Sequence, residues 1–245
     1  TQHSVKQLQE VGIQPDILVL RTEYELSLAL RKKVALFCNV DPAAVIQSID
    51  VPSIYEVPLK MHQQHLDEIV LTKTGLPING EPHLEPWLNF LHRMKNATKT
   101  VRIGLVGKYV ELPDAYKSIN ESLFQAATYN DRKLDLQYIH SEKLNSGNVD
   151  AMLSSLDGVL IAPGFGQRGI EGKFIALKYA REHDIPTFGV CLGMQCMVIE
   201  YARDVLGYTD ANSTEMDVTT KHNVIDLMEE QKSCLLYTSP SPRDA

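Results

Sequence analysis

Short apolar runs alternate along this chain with longer stretches in which apolar residues recur at helical spacing. The short runs predict strands, at residues 17–20, 34–37, 101–106, 134–139, 158–162 and 185–190. Helical spacing predicts helices over 171–184 and 192–206, and another from Asp114 with Tyr116, Ile119, Leu123 and Ala126 on one face. Strands that alternate with helices favour an α/β fold, in which helices cover both faces of a parallel sheet.

A polar segment separates two predicted units. The first unit covers residues 1–92; it contains a short helix that Asp41 and Pro42 begin, and it closes with a helix from Trp87 to Met94. Residues 93–100 form the predicted linker, and the second unit covers 101–232. A chain of 245 residues, 44% of them hydrophobic, is long enough to bury a core in each unit.

Residues 233–245 differ in character from the rest of the chain. They have no helical or strand period and contain two Ser-Pro steps. They resemble translated cloning or adapter sequence, so we expect a non-native tail. A natural disordered tail is the alternative.

The most informative chemical feature is a cysteine between two glycines, in the segment GVCLG at 189–193. The predicted strand before Cys191 and the predicted helix after it place this thiol at a sharp corner, which small neighbours allow. The start of a helix favours thiolate over thiol, and the N–H of Leu192 can donate to the oxyanion that forms when a carbonyl is attacked. Cys191 is therefore a candidate nucleophile. The alternative is an inert packing cysteine, which is our interpretation of Cys38 and Cys196.

A second glycine-rich loop follows the predicted strand 158–162. Gly164 and Gly166 in this loop allow the main chain to come close to a ligand. In a parallel sheet such loops gather at the carboxyl ends of the strands, the edge that also carries Cys191. A loop that merely turns a corner is the alternative.

The segment around Cys191 resembles the nucleophile elbow of class I, triad-type glutamine amidotransferases, and its surroundings resemble the CTP synthase family within that group. The matching segments are TQHSVK at 1–6, GIQPD at 12–16, ALFC at 35–38, GKY at 107–109, LPDAYKS at 112–118, GFGxRG at 164–169 and ANSTE at 211–215. The resemblance runs from residue 1 to about 232. It implies an incomplete class I amidotransferase domain, preceded by the C-terminal part of a P-loop-type α/β synthetase domain.

The resemblance also implies roles in glutamine hydrolysis. Cys191 matches the nucleophile that attacks the carboxamide of glutamine, and the N–H groups of Gly164 and Leu192 match the oxyanion donors. The glutamine-binding residues that it implies are Gly164, Leu192, Gly193, Met194, Gln195 and Glu215. A carboxylate at 215 can hold the ammonium group of free glutamine, although a solvated loop glutamate is the alternative. One departure is Pro163, where the family more often has glycine.

In the first unit, the resemblance implies contacts to UTP or CTP from Thr1, Gln2 and Lys33, and weaker contacts to ATP from Asp50 and Val51. A lysine beside a triphosphate is a common arrangement. The basic run that contains Lys33 can equally be a charged helix end, and residues 50–51 can be a surface loop.

Two motifs of the family are absent from the sequence. There is no phosphate-binding Gly-x-x-x-x-Gly-Lys-Ser/Thr loop, so the Mg²⁺ ligands and the ATP phosphate cradle lie outside this chain, and no metal site is predicted. The His-Pro-Glu motif that supplies the base is also missing. His183 precedes the strand that leads to Cys191, which puts it at the opposite sheet edge. His140 and His222 lack the partner carboxylate pattern, so we interpret all eight histidines as surface or packing residues.

Composition limits the classes of partner. A net charge of −7 with mixed signs argues against a nucleic-acid surface. No apolar run reaches membrane-spanning length, and four cysteines without paired or metal-like spacing are typical of a reducing cytoplasm. We therefore expect a cytoplasmic protein without membrane or nucleic-acid partners.

These observations predict a fragment of a glutamine-hydrolysing ligase. The resemblance implies that the intact enzyme aminates UTP to CTP with ATP, Mg²⁺ and ammonia from glutamine, with GTP as an effector and a homotetramer as the assembly. Because the base and the phosphate loop are missing, we expect this fragment to be inactive alone. The alternatives are the glutaminase part of another class I amidotransferase and a noncatalytic binding or assembly module.

Overall fold

A computed structural model describes residues 1–112 and 114–226 of the chain. Contacts between residues divide the chain into two compact units, one of residues 1–91 and one that begins at His92. Each unit is described by itself below.

The first unit is built around two parallel strands and the helices that follow them. Its elements are α1 (Gln2–Glu10), β1 (Leu18–Thr22), α2 (Leu28–Cys38), β2 (Val45–Ile49), α3 (Val57–His62), α4 (Leu66–Thr74) and α5 (Glu85–Asn96), with α5 continuing past the unit boundary. Leu18 pairs with Val45 across the strands. The predicted short helix after Asp41 is confirmed as a 3-10 turn, Pro42–Ala44, in which the Asp41 carboxylate accepts a hydrogen bond from the N–H of Ala43.

The predicted strand at 34–37 is wrong, because these residues belong to α2. The hydroxyl of Ser27 caps the start of this helix, and Asn39 ends it in the left-handed conformation. Ala35 and Cys38 are buried, whereas Leu36 and Phe37 between them are exposed. A spacing of three residues between buried positions belongs to a helix, and a run of four apolar residues is too short to reveal it.

The second unit contains a four-stranded parallel sheet in the order β4-β3-β5-β6. Its elements are β3 (Lys99–Gly107), α6 (Lys117–Tyr129), β4 (Arg132–His140), α7 (Val149–Leu153), β5 (Gly158–Ile161), α8 (Ile170–Glu182), β6 (Thr187–Gly189), α9 (Leu192–Asp204), β7 (Asn212–Ser213) and β8 (Asn223–Ile225). The predicted alternation of strands and helices is confirmed here. Strand β3 begins at Lys99, two residues before the predicted start.

Helices cover both faces of this sheet, as predicted. Leu105 and Leu160 pack with Tyr116 at the start of α6 on one face. Their neighbours Val106 and Ile161 pack on the other face, in the core that α7, α8 and α9 close. Successive residues of a strand point to opposite faces, so a strand buried on both faces is apolar throughout. Strand β5 meets that condition, since all four of its residues are buried.

The strand predicted at 185–190 is shorter and more exposed than expected. It covers only Thr187–Gly189, and among the described residues it pairs with β5 alone. The side chain of Phe188 is 66% exposed. Within residues 1–112 and 114–226 this apolar sequence therefore forms an edge strand and not a buried one.

Candidate active site

Cys191 lies at the corner between β6 and α9, where the sequence predicts it. It is the residue that precedes the first turn of α9, and it is exposed. Its backbone has φ 52° and ψ −112°, a combination that residues with a side chain rarely adopt. Such strain persists only where the surroundings hold it, and it concentrates at functional sites.

The two flanking glycines allow this corner for a steric reason. A Cβ atom on Gly189 would lie 2.5 Å from the backbone nitrogen of Met194, and one on Gly193 would lie 2.1 Å from the carbonyl oxygen of Ile161. Neither distance leaves room for a methyl group. The start of α9 therefore packs directly against the end of β5 at Gly193 and against the end of β6 at Gly189, and these two close approaches require glycine at both positions.

The second glycine-rich loop follows β5 and lies beside Leu192 at the start of α9. A Cβ atom on Gly164 would lie 3.8 Å from Cδ2 of Leu192, so the two residues predicted to donate to the oxyanion are neighbours. Within the described part of the chain, neither of their N–H groups donates to another group. The structure thus brings two free main-chain donors to the sheet edge that carries the exposed thiol.

Two lysines hold the carbonyl groups of this loop, and the sequence analysis assigns a role to neither. The ammonium group of Lys173 is buried and donates to the carbonyl oxygen of Ala162 at 2.7 Å. The ammonium group of Lys108 donates to the carbonyl oxygen of Phe165. Burial lowers the pKa of Lys173, and the neighbouring charge of Lys108 lowers it further. A signal for Lys173 exists in the sequence, because helical spacing puts it on the same face as the apolar residues Ile170 and Leu177.

A cavity of about 590 Å³ lies beside the elbow and joins two of the predicted glutamine-binding residues. Gln195 and Glu215 both line it, together with Ser213, Thr214, Val218, Ile225 and Asp226. The carbonyl oxygen Oε1 of Gln195 is buried and has no hydrogen-bond partner among the described residues. A buried acceptor without a partner is costly, so the described residues leave one polar atom of Gln195 unsatisfied next to this cavity.

Two further residues that were predicted to bind glutamine, Gly193 and Met194, lie near the cavity but do not line it. Gly193 is buried at the start of α9, and the side chain of Met194 is 51% exposed. The segment that carries Glu215 is tied to the glycine-rich loop, because the amide of Gln167 donates to the carbonyl oxygen of Met216 at 2.7 Å. Loop and cavity wall are thereby connected.

Comparisons with known proteins show the family of the chain. Residues 111–242 match the family model described as glutamine amidotransferase class-I, and residues 1–76 match the one described as CTP synthase N-terminus. The chain belongs to the class I glutamine amidotransferase family. Within that family it is similar to proteins named CTP synthase.

Two of these relatives show how far the similarity extends. The CTP synthase of Bacteroides fragilis is 68% identical over 233 residues, which cover 95% of this chain and 44% of the relative. The CTP synthase of Porphyromonas gingivalis is 65% identical over 233 residues, 95% of this chain and 43% of the relative. The chain thus spans less than half the length of these relatives.

A solved structure resembles about half of the chain. The Trypanosoma brucei CTPS glutaminase domain with bound acivicin is 40% identical, with a TM-score of 0.50, and the match covers 54% of this chain and 52% of that one. This match and the family model support the predicted α/β amidotransferase fold.

The other cysteines of this amidotransferase have the inert character that was predicted. Cys38 and Cys196 are fully buried, and burial raises the pKa of the Cys196 thiol to about 11. Cys234 lies outside the described residues.

The histidines need one correction. His222 was expected to lack a carboxylate partner, but its Nδ1 lies 2.6 Å from Oδ1 of Asp210, and its ring stacks on Tyr208. The hydrogen bond from His222 lowers the pKa of Asp210. Twelve residues separate the pair in the sequence, and the pairing of β7 with β8 brings them together, so sequence spacing could not reveal it. His183 packs against Tyr179 at the end of α8, and the Nδ1 of His140 accepts from the N–H of Glu142.

The predicted nucleotide residues of the first unit lie at its surface. Thr1 precedes α1 at its N-cap position without a side-chain capping bond, Gln2 begins the helix, and Lys33 is exposed on α2. Asp50 follows β2, where its carboxylate lies 3.4 Å from Nε of Arg21, and Val51 beside it is half-buried. The structure therefore places 50–51 at the carboxyl end of a parallel strand, the position at which α/β folds bind ligands. Across the described residues there is no group of side chains that could hold a metal ion, and no helix is long and apolar enough to cross a membrane.

Proposed function

We propose that this chain is part of a CTP synthase, in which Cys191 hydrolyses glutamine and the ammonia released aminates UTP to CTP with ATP. The observation that carries this proposal is the exposed thiol on a strained corner, next to the free N–H groups of Gly164 and Leu192. The match of residues 1–76 to the CTP synthase N-terminus favours this activity over that of another amidotransferase.

Each part of the site has a step in the glutaminase reaction. The sulfur of Cys191 attacks the carboxamide carbon of glutamine, and the oxygen becomes an oxyanion that the N–H groups of Gly164 and Leu192 stabilise. The carbon–nitrogen bond then breaks, and the nitrogen leaves as ammonia with the proton that the thiol released. Water adds to the thioester, which gives glutamate and restores the thiol.

The cavity beside the elbow supplies the binding of the substrate. We assign the ammonium group of glutamine to Glu215 and a polar group of the substrate to the side chain of Gln195, because both residues line this cavity. Gly193 and Met194 shape the start of α9 next to it. The charge of the Glu215 carboxylate distinguishes free glutamine from a glutamine side chain within a protein, because only the free amino acid carries the ammonium group.

The synthetase reaction draws on residues beyond this site. We assign UTP or CTP to Thr1, Gln2 and Lys33, and the adenine nucleotide to Asp50 and Val51. ATP and Mg²⁺ are needed to activate UTP, but no group of described side chains fits Mg²⁺, so no step is assigned to the ion here. For the whole protein we propose GTP as an effector, a homotetramer as the assembly and the cytoplasm as the location.

Labelling with acivicin tests the glutamine site in this chain. We expect one acivicin adduct per chain, located at Cys191 by peptide mass spectrometry, and slower labelling when free glutamine competes. Cys191→Ala removes the adduct, whereas Cys196→Ala leaves it, because the thiol of Cys196 is buried. An unlabelled Cys191, or labelling that glutamine does not slow, would mean that the corner is only a relic of the fold.

A further inference from the structure

Lys173 is a charged residue at a position where the fold calls for an apolar one. It lies on α8 between the buried residues Gly172 and Ala176, and its side chain is 1% exposed. Burying an ammonium group costs free energy unless the group gains strong partners. A hydrophobic side chain would fill this space without that cost, so the amine itself requires an explanation.

Its hydrogen bond points to the loop that carries the proposed oxyanion donor. The ammonium group of Lys173 donates to the carbonyl oxygen of Ala162 at 2.7 Å, while the N–H of Ala162 donates to the carbonyl oxygen of Val106 at 2.9 Å. Ala162 is thus held on both sides, by β3 and by α8. The Val106 bond fixes the peptide plane before Ala162, and the Lys173 bond fixes the peptide plane between Ala162 and Pro163.

Pro163 connects the restrained carbonyl group of Ala162 to the N–H group of Gly164. Pro163 has a fixed φ and restricts the residue before it to extended conformations. Gly164 has no such restriction and needs an external restraint if its N–H is to keep one direction. Lys108 fixes the far side of Gly164, because its ammonium group donates to the carbonyl oxygen of Phe165.

We propose that Lys173 is a positioning residue that aims the N–H of Gly164 at the substrate oxygen by holding the carbonyl group of Ala162. This inference rests on the proposed glutaminase function. Lys173 itself does not touch the substrate. It fixes the donor before the substrate arrives, and a donor that needs no reorientation stabilises the oxyanion best.

Two electrophiles separate this role from a merely structural one. The diazoketone 6-diazo-5-oxo-L-norleucine is a glutamine analogue whose ketone oxygen takes the place of the carboxamide oxygen, so its reaction with Cys191 depends on the oxyanion donors. Iodoacetamide alkylates the same thiol without using them. The ratio of the two rate constants reports on the donors and is insensitive to general accessibility of the thiol.

In Lys173→Met we expect the diazoketone rate constant at Cys191 to fall at least tenfold and the iodoacetamide rate constant to stay within twofold. Lys178→Met is the matched control on the same helix, since Lys178 is half-exposed and pairs with Asp204; both of its rate constants should equal those of the wild type. Unchanged rates in Lys173→Met, or an equal fall in both, would overturn the proposal. A wild type that fails to react with the diazoketone but reacts with iodoacetamide would instead contradict the proposed function.

Alkylation of the buried Cys38 or Cys196 would reveal that Lys173→Met is unfolded. In that case Pro163→Gly decides, because it removes the fixed φ between Ala162 and Gly164 while Lys173 stays in place. If the restraint at Ala162 aims the donor, the diazoketone rate constant of Pro163→Gly falls at least threefold and the iodoacetamide rate constant stays within twofold. An unchanged diazoketone rate constant, or an equal fall in both, would overturn the role of Lys173.

Discussion

At the scale of single residues, the corner at Cys191 depends on contacts that leave no space for a side chain. Gly193 is the more constrained of the two glycines at this corner, since a Cβ atom there would meet the carbonyl oxygen of Ile161 at 2.1 Å. The clash involves backbone on both sides, so no rotamer change can relieve it. Gly193 is therefore required by packing, whether or not it contacts the substrate.

Gly193→Ala should separate α9 from β5. We expect the free energy of unfolding to fall by about 1–3 kcal/mol, the usual cost of overpacking, and the labelling of Cys191 by acivicin to slow at least tenfold. Urea unfolding and mass spectrometry measure the two effects. Gly147→Ala is the control, because the nearest atom to its Cβ would be 3.3 Å away in the side chain of Asn145. A Gly193→Ala variant with wild-type stability would contradict the close approach.

At the scale of elements, a charged pair joins the two helices that frame the site. The guanidinium of Arg181 on α8 donates to the Glu200 carboxylate on α9 through Nε at 3.0 Å and Nη2 at 2.8 Å. Glu200 is only 4% exposed, whereas the side chain of Arg181 is 32% exposed. The hydrogen bond to Glu200 raises the pKa of Arg181. The pair holds α8 and α9 together on the core side of the sheet.

Arg181→Met should leave the Glu200 carboxylate buried without its partner. We expect the free energy of unfolding to fall by about 3 kcal/mol, at the low end for broken buried pairs because Arg181 is partly exposed. The double variant Arg181→Met/Glu200→Leu removes both charges and should recover most of that loss. Thermal or urea unfolding of the single and double variants is the measurement. A double variant as unstable as the single one would show that packing, and not the unpaired charge, accounts for the loss.

At the scale of the whole molecule, the sequence contains the nucleophile but no His-Pro-Glu motif. We expect the purified chain to be labelled at Cys191 and yet to release no ammonia from glutamine above background. The reason is that the sequence lacks the base that takes the proton of the thiol and then donates it to the departing nitrogen. A coupled ammonia assay with Cys191→Ala as the blank measures this. Turnover that the Cys191→Ala substitution abolishes would mean that another group acts as the base.

The sequence predicts this molecule well where a pattern is long or has a steric cause. The alternation from β3 to α9 is readable because each element repeats its period, and the elbow is readable because two glycines flank one thiol. Four apolar residues at 34–37 carry no period, so they were misread as a strand. The His222–Asp210 pair and the buried amine of Lys173 depend on contacts between distant segments, which local spacing does not encode.

At Cys191 the backbone conformation lowers the stability of the fold, whereas the thiol at the same position supplies the reactivity. Only glycine adopts this conformation without an energetic penalty. Replacing Cys191 with glycine would therefore remove the backbone strain, but it would also remove the sulfur. A substitution that stabilises the fold at this position would therefore remove the nucleophile. The reactivity of the thiol, and not the rigidity of the fold, therefore accounts for a cysteine at this backbone angle.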